Sequence, residues 1–348
     1  MKPIDLLKAP LHLLSLASRA KSFADNPIIG SPRFNRWGLH RYRIALADRM
    51  AWSRRCRLAR QLSADDVQAY ARDGLIIKRD FLPSEVFGRV RDEAHAHLAE
   101  AREMRQGRTV TRRVTLDPVD ARQLPHCVVA ANDPRLAHLM RYVASHDVTP
   151  LMYLQIIIVD PERGAQDPQT ALHLDTFHSI AKAWLFLQDV GEDDGPLAYV
   201  PGSHRLDDKR LAWEYQQSLT AASARNVYHA RGSFRAGKDD LDRLGLGPAV
   251  RLAVPANTLV VADTHGFHAR TPSPRPTLRM EIYGTLRWNP YAPDWGPDPL
   301  GWPGIVSRRA SLLDQAADMA ARLGLTGNSW PKVAARRMDS PQVGSPSR

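Results

Sequence analysis

The chain has 348 residues, of which 43% are hydrophobic and 24% are charged, values typical of a globular protein that can bury a core large enough for one or two domains. Its two cysteines, Cys56 and Cys127, argue against a disulfide framework and against a cysteine-based zinc site. No run of about 18 apolar residues occurs, so no transmembrane helix is predicted. We therefore expect a cytoplasmic protein.

The net charge of +11 is concentrated at the start of the chain. Residues 1–60 contain thirteen Lys or Arg and three Asp, a net charge of +10. Any basic partner-binding feature therefore belongs to this arm. Within residues 33–60, arginines alternate with Trp and Tyr but no recognition motif accompanies them, which favours a solvated helix face and no specific nucleic-acid partner.

The first leucines of the arm leave two alternatives open. Residues 4–21 place leucines on one side of a short amphipathic helix, which could lie on an anionic membrane or pack on its own domain. We favour packing; the other alternative would place the protein at the inner membrane face. Asp5, Lys8 and Pro10 interrupt the apolar residues, which argues against a signal peptide.

The first half of the main part predicts alternating helices and strands. Ser63 can cap a helix that ends at Gly74. The pattern then predicts a strand, a helix, short β-like pieces, a helix and a buried strand, over residues 75–82, 84–104, 108–130, 133–145 and 150–160.

The second half predicts mostly strands, with further ones over 249–263 and 278–288. We predict an α+β protein with a mainly β core, a double-stranded β-helix (jelly roll, cupin-like) barrel braced by N-terminal helices. The organisation would be an arm (1–60), a core domain (61–290) with an insertion (205–249), and an extension (291–348). Residues 205–249 predict a polar helix followed by a long connection, and insertions of this kind are often lids. The extension predicts a helix over 311–324 and a disordered end.

A possible metal site lies in the sequence HLD. His173 and Asp175 are two residues apart in a segment that predicts β structure, so both side chains would point to one face. A histidine from a distant strand would complete a two-His-one-carboxylate group, which holds Fe(II) and leaves positions open. The sequence HGFH offers His265 and His268, which cannot both face one metal from an extended strand.

Several pieces of sequence together resemble the phytanoyl-CoA dioxygenase family of Fe(II)- and 2-oxoglutarate-dependent oxygenases. They are HLD at 173–175, AWLFLQDVGEDDGPLAYVPGSHR at 183–205, and a late histidine followed by an arginine eleven residues later. The segment DGLIIKRDFLP at 73–83 is similar to the family's first strand. The resemblance extends over residues 63–288.

The resemblance implies that His173, Asp175 and His268 bind iron. Arg279 follows His268 at the family's interval for the arginine that binds the distal carboxylate of 2-oxoglutarate, a group that a guanidinium fork suits. The same count from His265 reaches a proline, so His265 would lie beside the site or at the surface.

Further side chains have weaker roles in the resemblance. Gln155 could hydrogen-bond the co-substrate and Trp184 could form a pocket wall. Other possible pocket residues are Tyr153, Thr176, His178, Arg270 and Tyr283. His204 is expected to shape a turn rather than to bind metal. The chain departs from some members at Leu174, where they have a glutamine, and at Arg270, where they have a serine.

The implied activity is hydroxylation of an aliphatic C–H bond in a small organic or lipid-like substrate. Fe(II), 2-oxoglutarate and O2 would be required, and succinate and CO2 released. Asp175 favours hydroxylation because halogenating members lack this carboxylate. Two alternatives remain: a catalytically silent or regulatory jelly-roll protein, and a cupin-type hydrolase or isomerase that binds Zn(II) or Mn(II).

Overall fold

The computed structural model describes residues 9–162, 164–293 and 301–341. The strands, in chain order, are β1 (Leu75–Lys78), β2 (Leu98–Gln106), β3 (Thr109–Thr115), β4 (Leu151–Val159), β5 (Ala181–Phe186), β6 (Leu197–Tyr199), β7 (Val250–Arg251), β8 (Leu259–Asp263), β9 (His268–Arg270), β10 (Thr277–Leu286) and β11 (Lys332–Arg337). The α-helices are Ala9–Leu14, Pro32–Arg36, Leu39–Leu58, Ala64–Asp73, Ser84–Ala96, Pro125–Ala131, Pro134–Ala144, Asp208–Thr220, Val227–Ala230, Lys238–Leu244, Pro303–Val306 and Arg309–Arg322.

The strands form two antiparallel sheets. The larger has the order β1-β8-β5-β10-β4-β3-β2-β11, and the smaller has the order β7-β6-β9. Side chains from both sheets line one cavity, so the sheets face each other as the halves of a jelly roll do. The predicted α+β fold with a jelly-roll core is confirmed, although the larger sheet does not close into a barrel.

The alternation of side chains along β10 separates the cavity from the apolar core. Arg279 and Glu281 line the cavity, whereas Met280 and Ile282 are completely buried on the opposite face. This follows from the two-residue period of a strand. The helix Pro134–Ala144 packs its apolar residues against that opposite face. One face of the sheet therefore stabilises the fold, and the other carries polar groups.

The helix predicted between Ser63 and Gly74 is confirmed. The Ser63 hydroxyl accepts a hydrogen bond from the Asp66 backbone N–H at 3.2 Å, which satisfies one free donor of the first turn. Gly74 has φ +81° and its N–H binds the Tyr70 carbonyl at 2.8 Å. Only glycine adopts this left-handed cap without strain.

Two predicted elements are wrong, and one strand was not predicted. The helix expected to reach Met104 ends at Ala96, and β2 follows it. The sequence HCVVAA lies in the helix Pro125–Ala131, whose first position suits proline, rather than in a strand. The tail contributes β11, which pairs with β2. The two strands share a cause, because pairing of β2 with β3 and β11 overrides local preference.

The insertion over 205–249 is more ordered than its sequence suggests. The helices Asp208–Thr220, Val227–Ala230 and Lys238–Leu244 occupy much of it, so the long connection expected over 229–249 is partly helical. Trp213 and Leu241 are buried with Phe234 and Phe267 in a second apolar cluster. The insertion therefore packs against Phe267, the residue that precedes β9. Its role as a lid stays a prediction.

Much of the basic charge in the arm serves internal contacts. Arg43 donates to the Ala20 carbonyl at 2.7 Å, Arg54 to the Pro290 carbonyl at 3.0 Å, and Arg55 to the Val143 carbonyl at 2.8 Å. Trp37 and Trp52 are exposed, as a solvated helix face requires.

The start and end of the chain leave parts of the sequence predictions open. Leu11 and Leu14 are exposed in the helix Ala9–Leu14, and the membrane contact stays a prediction. None of the described helices is long and apolar enough to span a membrane. The predicted start of the first helix, residues 4–8, and the predicted disordered end after residue 341 lie outside the described residues.

We expect His204 to make the fold less stable in acid. Burial lowers the pKa of His204 to about 3, whereas an unfolded chain has an ordinary histidine pKa of about 6.5. Between these values the unfolded state binds the extra proton. The contribution of His204 to the free energy of unfolding is therefore complete above pH 6.5 and is lost as pH falls towards 3. The loss is at most about 1.4 kcal/mol per pH unit.

Urea unfolding followed by circular dichroism between pH 4 and 6.5 tests this expectation. His204→Gln should make the free energy of unfolding less dependent on pH, because the titrating group is removed. His126→Gln, which changes an exposed histidine, should leave the slope as it is in the natural chain. An unchanged slope in the His204 variant would contradict the assignment.

Candidate metal centre

Backbone pairing brings His173 and His268 side by side. His173 N–H donates to the His268 carbonyl at 3.0 Å and His268 N–H donates to the His173 carbonyl at 2.9 Å. Residues paired in this way present their side chains on one face, and the two ring centroids are 4.4 Å apart. The HLD segment forms two isolated bridges at His173, to His268 and to Arg235, rather than the regular strand predicted. A hydrogen bond from Asp175 N–H to the Thr264 carbonyl at 2.9 Å holds the next bend.

Three potential ligand atoms converge at this point. One atom each of His173, Asp175 and His268 lies within 4.8 Å of the others, close enough to hold one metal ion. The Nε2 atom of His268 is 3.7 Å from Asp175 Oδ2, and that of His173 is 4.0 Å from Asp175 Oδ1. This is the two-His-one-carboxylate group typical of non-haem Fe(II) sites.

Hydrogen bonds set both imidazoles in the form that a metal needs. The Nδ1 atom of His173 lies 2.8 Å from the Ala171 carbonyl, and that of His268 lies 3.0 Å from the Gly266 carbonyl. Because a carbonyl only accepts, each Nδ1 donates and each Nε2 keeps its lone pair for a metal. His173 Nε2 is buried without a hydrogen-bond partner among the described residues, as expected for a ligand atom.

The electrostatics of the centre favour the ligand forms. Burial lowers the pKa of both His173 and His268 below the ordinary value, so the rings are neutral. Burial would raise the pKa of Asp175, but the positive charge of Lys182 holds that pKa well below its ordinary value. Lys182 Nζ lies 2.6 Å from Asp175 Oδ2 as an ion pair. A neutral, neutral and anionic set is what a divalent metal requires.

His265 is directed away from these atoms. Its side chain is buried, with Nε2 3.6 Å from Glu214 Oε1, and it is outside the metal-binding group. Glu214 also hydrogen-bonds His40 at 3.2 Å and Arg210 at 3.2 Å. The geometry thus agrees with His268 as the ligand, while the surface position considered for His265 is wrong.

A second group of charged residues surrounds Arg279. Its Nε donates to Glu281 Oε2 at 3.0 Å and its Nη1 to the Gly195 carbonyl at 2.5 Å. Gln155 Nε2 donates to the other Glu281 oxygen at 2.7 Å. Gln155 therefore uses its amide to orient Glu281, which in turn orients Arg279. This contact differs from the expected hydrogen bond to a co-substrate.

Both groups belong to one cavity of about 350 Å³ between the sheets. The candidate side chains predicted from the sequence all line it, namely His173, Asp175, His268, Arg279, Gln155 and Trp184. Of the weaker candidates, Arg270 and Tyr283 line it; Tyr153, Thr176 and His178 are outside its lining. The ring centroids of Trp184 and Tyr283 are 6.1 Å apart on one wall.

The two sequence departures have structural counterparts. Leu174 lies in the second apolar cluster with Phe234 and Phe267, on the opposite side of the HLD segment from the ligands. Arg270 pairs with Asp167 at 2.6 Å on the cavity wall. His204 is outside the metal-binding group and follows the turn at Pro201–Gly202, as expected.

Sequence reasoning missed three charged residues of the site. Lys182 pairs with Asp175, and Glu281 holds Arg279. Both are charged residues within otherwise apolar strands, two positions from Trp184 and Arg279, and this alternation was the available signal. Arg235, the third, is paired with His173 across the backbone. Nothing in its local sequence indicates that pairing.

The family model for phytanoyl-CoA dioxygenase (PhyH) matches residues 70–270, more than half of the chain. The chain belongs to the phytanoyl-CoA dioxygenase family. It is accordingly an enzyme of the iron- and 2-oxoglutarate-dependent kind, with iron and 2-oxoglutarate as cofactors, and the metal-binding group described above fits that membership. No curated protein matches the chain significantly.

Several solved structures of iron- and 2-oxoglutarate-dependent enzymes resemble the chain at low identity. The epimerase SnoN from nogalamycin biosynthesis is 22% identical, covering 68% of this chain and 91% of SnoN, with a TM-score of 0.45. HygX from Streptomyces hygroscopicus, with nickel and 2-oxoglutarate bound, is 16% identical over 68% and 90%, with a TM-score of 0.41. EctD from S. alaskensis, with bound Fe, is 17% identical over 66% and 76%, with a TM-score of 0.41. These values are too low to assign a reaction or substrate.

Anaerobic Fe(II) titration of the purified chain separates the two histidines of HGFH. His268→Ala should weaken Fe(II) binding by roughly a hundredfold or more, because one of three ligands is lost. His265→Ala should bind Fe(II) as the natural chain does, although the loss of its buried contact should lower the melting temperature. Equal losses of Fe(II) affinity in both variants would show that the ligand has been assigned incorrectly.

Proposed function

We propose that this chain is a dioxygenase that hydroxylates an aliphatic C–H bond of a small organic or lipid-like substrate, with release of succinate and CO2. The observation that carries the proposal is a two-His-one-carboxylate group and a buried, oriented arginine in one cavity. A metal-binding protein without 2-oxoglutarate chemistry has no need of a guanidinium held in that position.

In this proposal His173, Asp175 and His268 hold the iron through Nε2, a carboxylate oxygen and Nε2. Arg279 binds the distal carboxylate of 2-oxoglutarate, and its contacts with Glu281 and Gly195 fix its direction before the co-substrate arrives. When bound, iron and 2-oxoglutarate supply the oxidising power for the C–H bond.

The remaining cavity residues protect and direct that chemistry. Trp184, Phe186 and Tyr283 form an aromatic wall of the cavity, which limits access of water to reactive species. Asp175 occupies the carboxylate position that halogenating members lack, which supports hydroxylation over halogenation. The neutral imidazoles and ionised carboxylate leave the centre ready for a divalent cation without a prior proton transfer.

We also propose that residues 61–290 are the catalytic domain with the insertion 205–249, and that residues 1–60 are an arm and residues 291–348 an extension, whose described parts pack on it. The arm reaches the centre through Lys21, whose Nζ donates to the Asp175 carbonyl at 2.5 Å. The extension adds β11 to the edge of the larger sheet. Both flanking segments therefore contact the part that carries the site.

Release of succinate from 2-oxoglutarate, measured with and without Fe(II), tests the proposed chemistry. We expect release that depends on Fe(II) and that Zn(II) or Mn(II) does not support. Mass spectrometry of a converted substrate should show the addition of one oxygen atom. Hydrolysis or isomerisation supported by Zn(II) or Mn(II), without succinate, would favour the cupin-type alternative instead.

Arg279→Met should raise the concentration of 2-oxoglutarate needed for half-maximal succinate release by about ten- to a hundredfold. A hydrogen-bonded charge contact of this kind contributes about 1.5–3 kcal/mol. Arg275→Met is the matched control, because this neighbouring arginine is exposed and pairs with Asp194 outside the cavity. A normal half-saturating concentration in the Arg279 variant would remove Arg279 from the co-substrate site.

A further inference from the structure

The backbone register places Arg235 beside the metal-binding histidines. His173 pairs with His268 on one side and with Arg235 on the other. The hydrogen bonds from Leu174 N–H to the Phe234 carbonyl and from Ala236 N–H to the Leu172 carbonyl, both 3.1 Å, flank this second pair. His173 and Arg235 are therefore a non-hydrogen-bonded antiparallel pair, the type in which side chains are closest and share a face.

The Arg235 guanidinium has no internal role that accounts for its position. Its Nε, Nη1 and Nη2 atoms are all shielded from solvent and have no hydrogen-bond partner among the described residues. The Tyr228 ring, 5.2 Å away, lies against one face of the guanidinium but accepts none of its N–H groups. A shielded charge without partners is costly, so a partner supplied from outside would stabilise the site.

The side chains near Arg235 also carry more positive than negative charge, which again favours an anionic ligand. Lys182 pairs with the Asp175 carboxylate at 2.6 Å, and Lys21 binds the Asp175 carbonyl at 2.5 Å. The negative charge of Asp175 also attracts the guanidinium groups of Arg235 and Arg287. Four cations thus share one carboxylate, and a metal ion bound by that carboxylate would add to the excess of positive charge.

The other end of the cavity lacks this imbalance. There Arg270 pairs with Asp167 at 2.6 Å and Arg279 with Glu281 at 3.0 Å. The two arginines have two acidic partners before any co-substrate binds. The uncompensated positive charge therefore lies on the Arg235 side, apart from the residues proposed to bind the distal carboxylate of 2-oxoglutarate.

Space for a ligand adjoins two of these cations, Lys21 and Arg287. A surface cavity of about 570 Å³ is lined by Arg19, Lys21 and Arg287, among others. Arg287 therefore borders this surface cavity, and the Asp175 carboxylate attracts the Arg287 guanidinium. A molecule in the surface cavity could place an anionic group against Lys21 and Arg287, and the positive charge of Arg235, which acts on Lys21, lies near the same place.

We propose that the primary substrate carries an oxyanion, a phosphate or a carboxylate, and that Arg235 binds it beside the metal-binding histidines with Lys21 and Arg287. This inference rests on the proposed function, since it names the substrate class of the same site. This group of cations would select substrates by charge. It would also place the substrate carbon next to the anionic group near the metal.

Calorimetric titration with inorganic phosphate at constant ionic strength tests the subsite on the metal-free, full-length chain. Arg235→Met should weaken phosphate binding by about ten- to a hundredfold, and Arg235→Lys should restore part of it because the charge is kept. Arg251→Met is the control, since this exposed arginine lies on β7 of the same smaller sheet. Circular dichroism and the melting temperature establish that each variant is folded.

A second titration, with 2-oxoglutarate into the anaerobic Fe(II)-loaded chain, separates the two sources of an oxyanion. We expect Arg235→Met to change 2-oxoglutarate affinity by less than twofold. A loss of tenfold or more there would assign Arg235 to the co-substrate and overturn the substrate proposal. Phosphate affinity in Arg235→Met within twofold of the natural chain would overturn it as well.

The two proposals fail in different ways. If the natural chain binds phosphate through Arg235 but binds no 2-oxoglutarate with Fe(II), the proposed function falls and the oxyanion site stands. If the natural chain binds 2-oxoglutarate with Fe(II) but Arg235→Met leaves phosphate affinity unchanged, the proposed function stands and the oxyanion site falls.

Discussion

The site depends on the pairing of one short extended segment with two others. His173 is the middle member, hydrogen-bonded to His268 through both backbone groups and opposed by Arg235 on its other side. A shift of one residue in either pairing would turn a side chain to the opposite face. The ligands, the neighbouring guanidinium and the orientation of the cavity all follow from this register. Apolar packing of Leu174, Phe234 and Phe267 beneath the segment resists such a shift.

The cavity divides into a balanced end and an unbalanced end. At the Arg279 end, Glu281 and the Gly195 carbonyl fix the Arg279 guanidinium before ligand arrives, and Asp167 pairs with Arg270. Around Asp175, four cations share one carboxylate, and Arg235 has no hydrogen-bond partner among the described residues. Pre-oriented groups suit a constant co-substrate, whereas uncompensated charge suits a ligand that brings its own. This difference connects the common chemistry of the family with the oxyanion preference proposed for this chain.

Several basic residues of the arm make contacts within the folded chain. Its arginines bind carbonyls of distant segments, as Arg43, Arg54 and Arg55 do, and Lys21 reaches the metal centre. Part of the positive charge concentrated in the sequence of residues 1–60 thus stabilises the fold or supplies the site. A charge count alone does not separate these uses from a surface for an external partner.

The sequence alone determined the features that short spacing encodes. The two-residue interval of His173 and Asp175, the cap at Ser63 and the alternation in β10 each need only local geometry. The eleven-residue interval from His268 to Arg279 was recognised through the family resemblance. Tertiary structure decided the rest. The partnership of Lys182 with Asp175, the place of Arg235 beside His173 and the pairing of β11 with β2 join segments far apart in the chain. Such contacts depend on sheet register and packing, which no local pattern specifies, because the same residues would satisfy their own strand preferences in several registers.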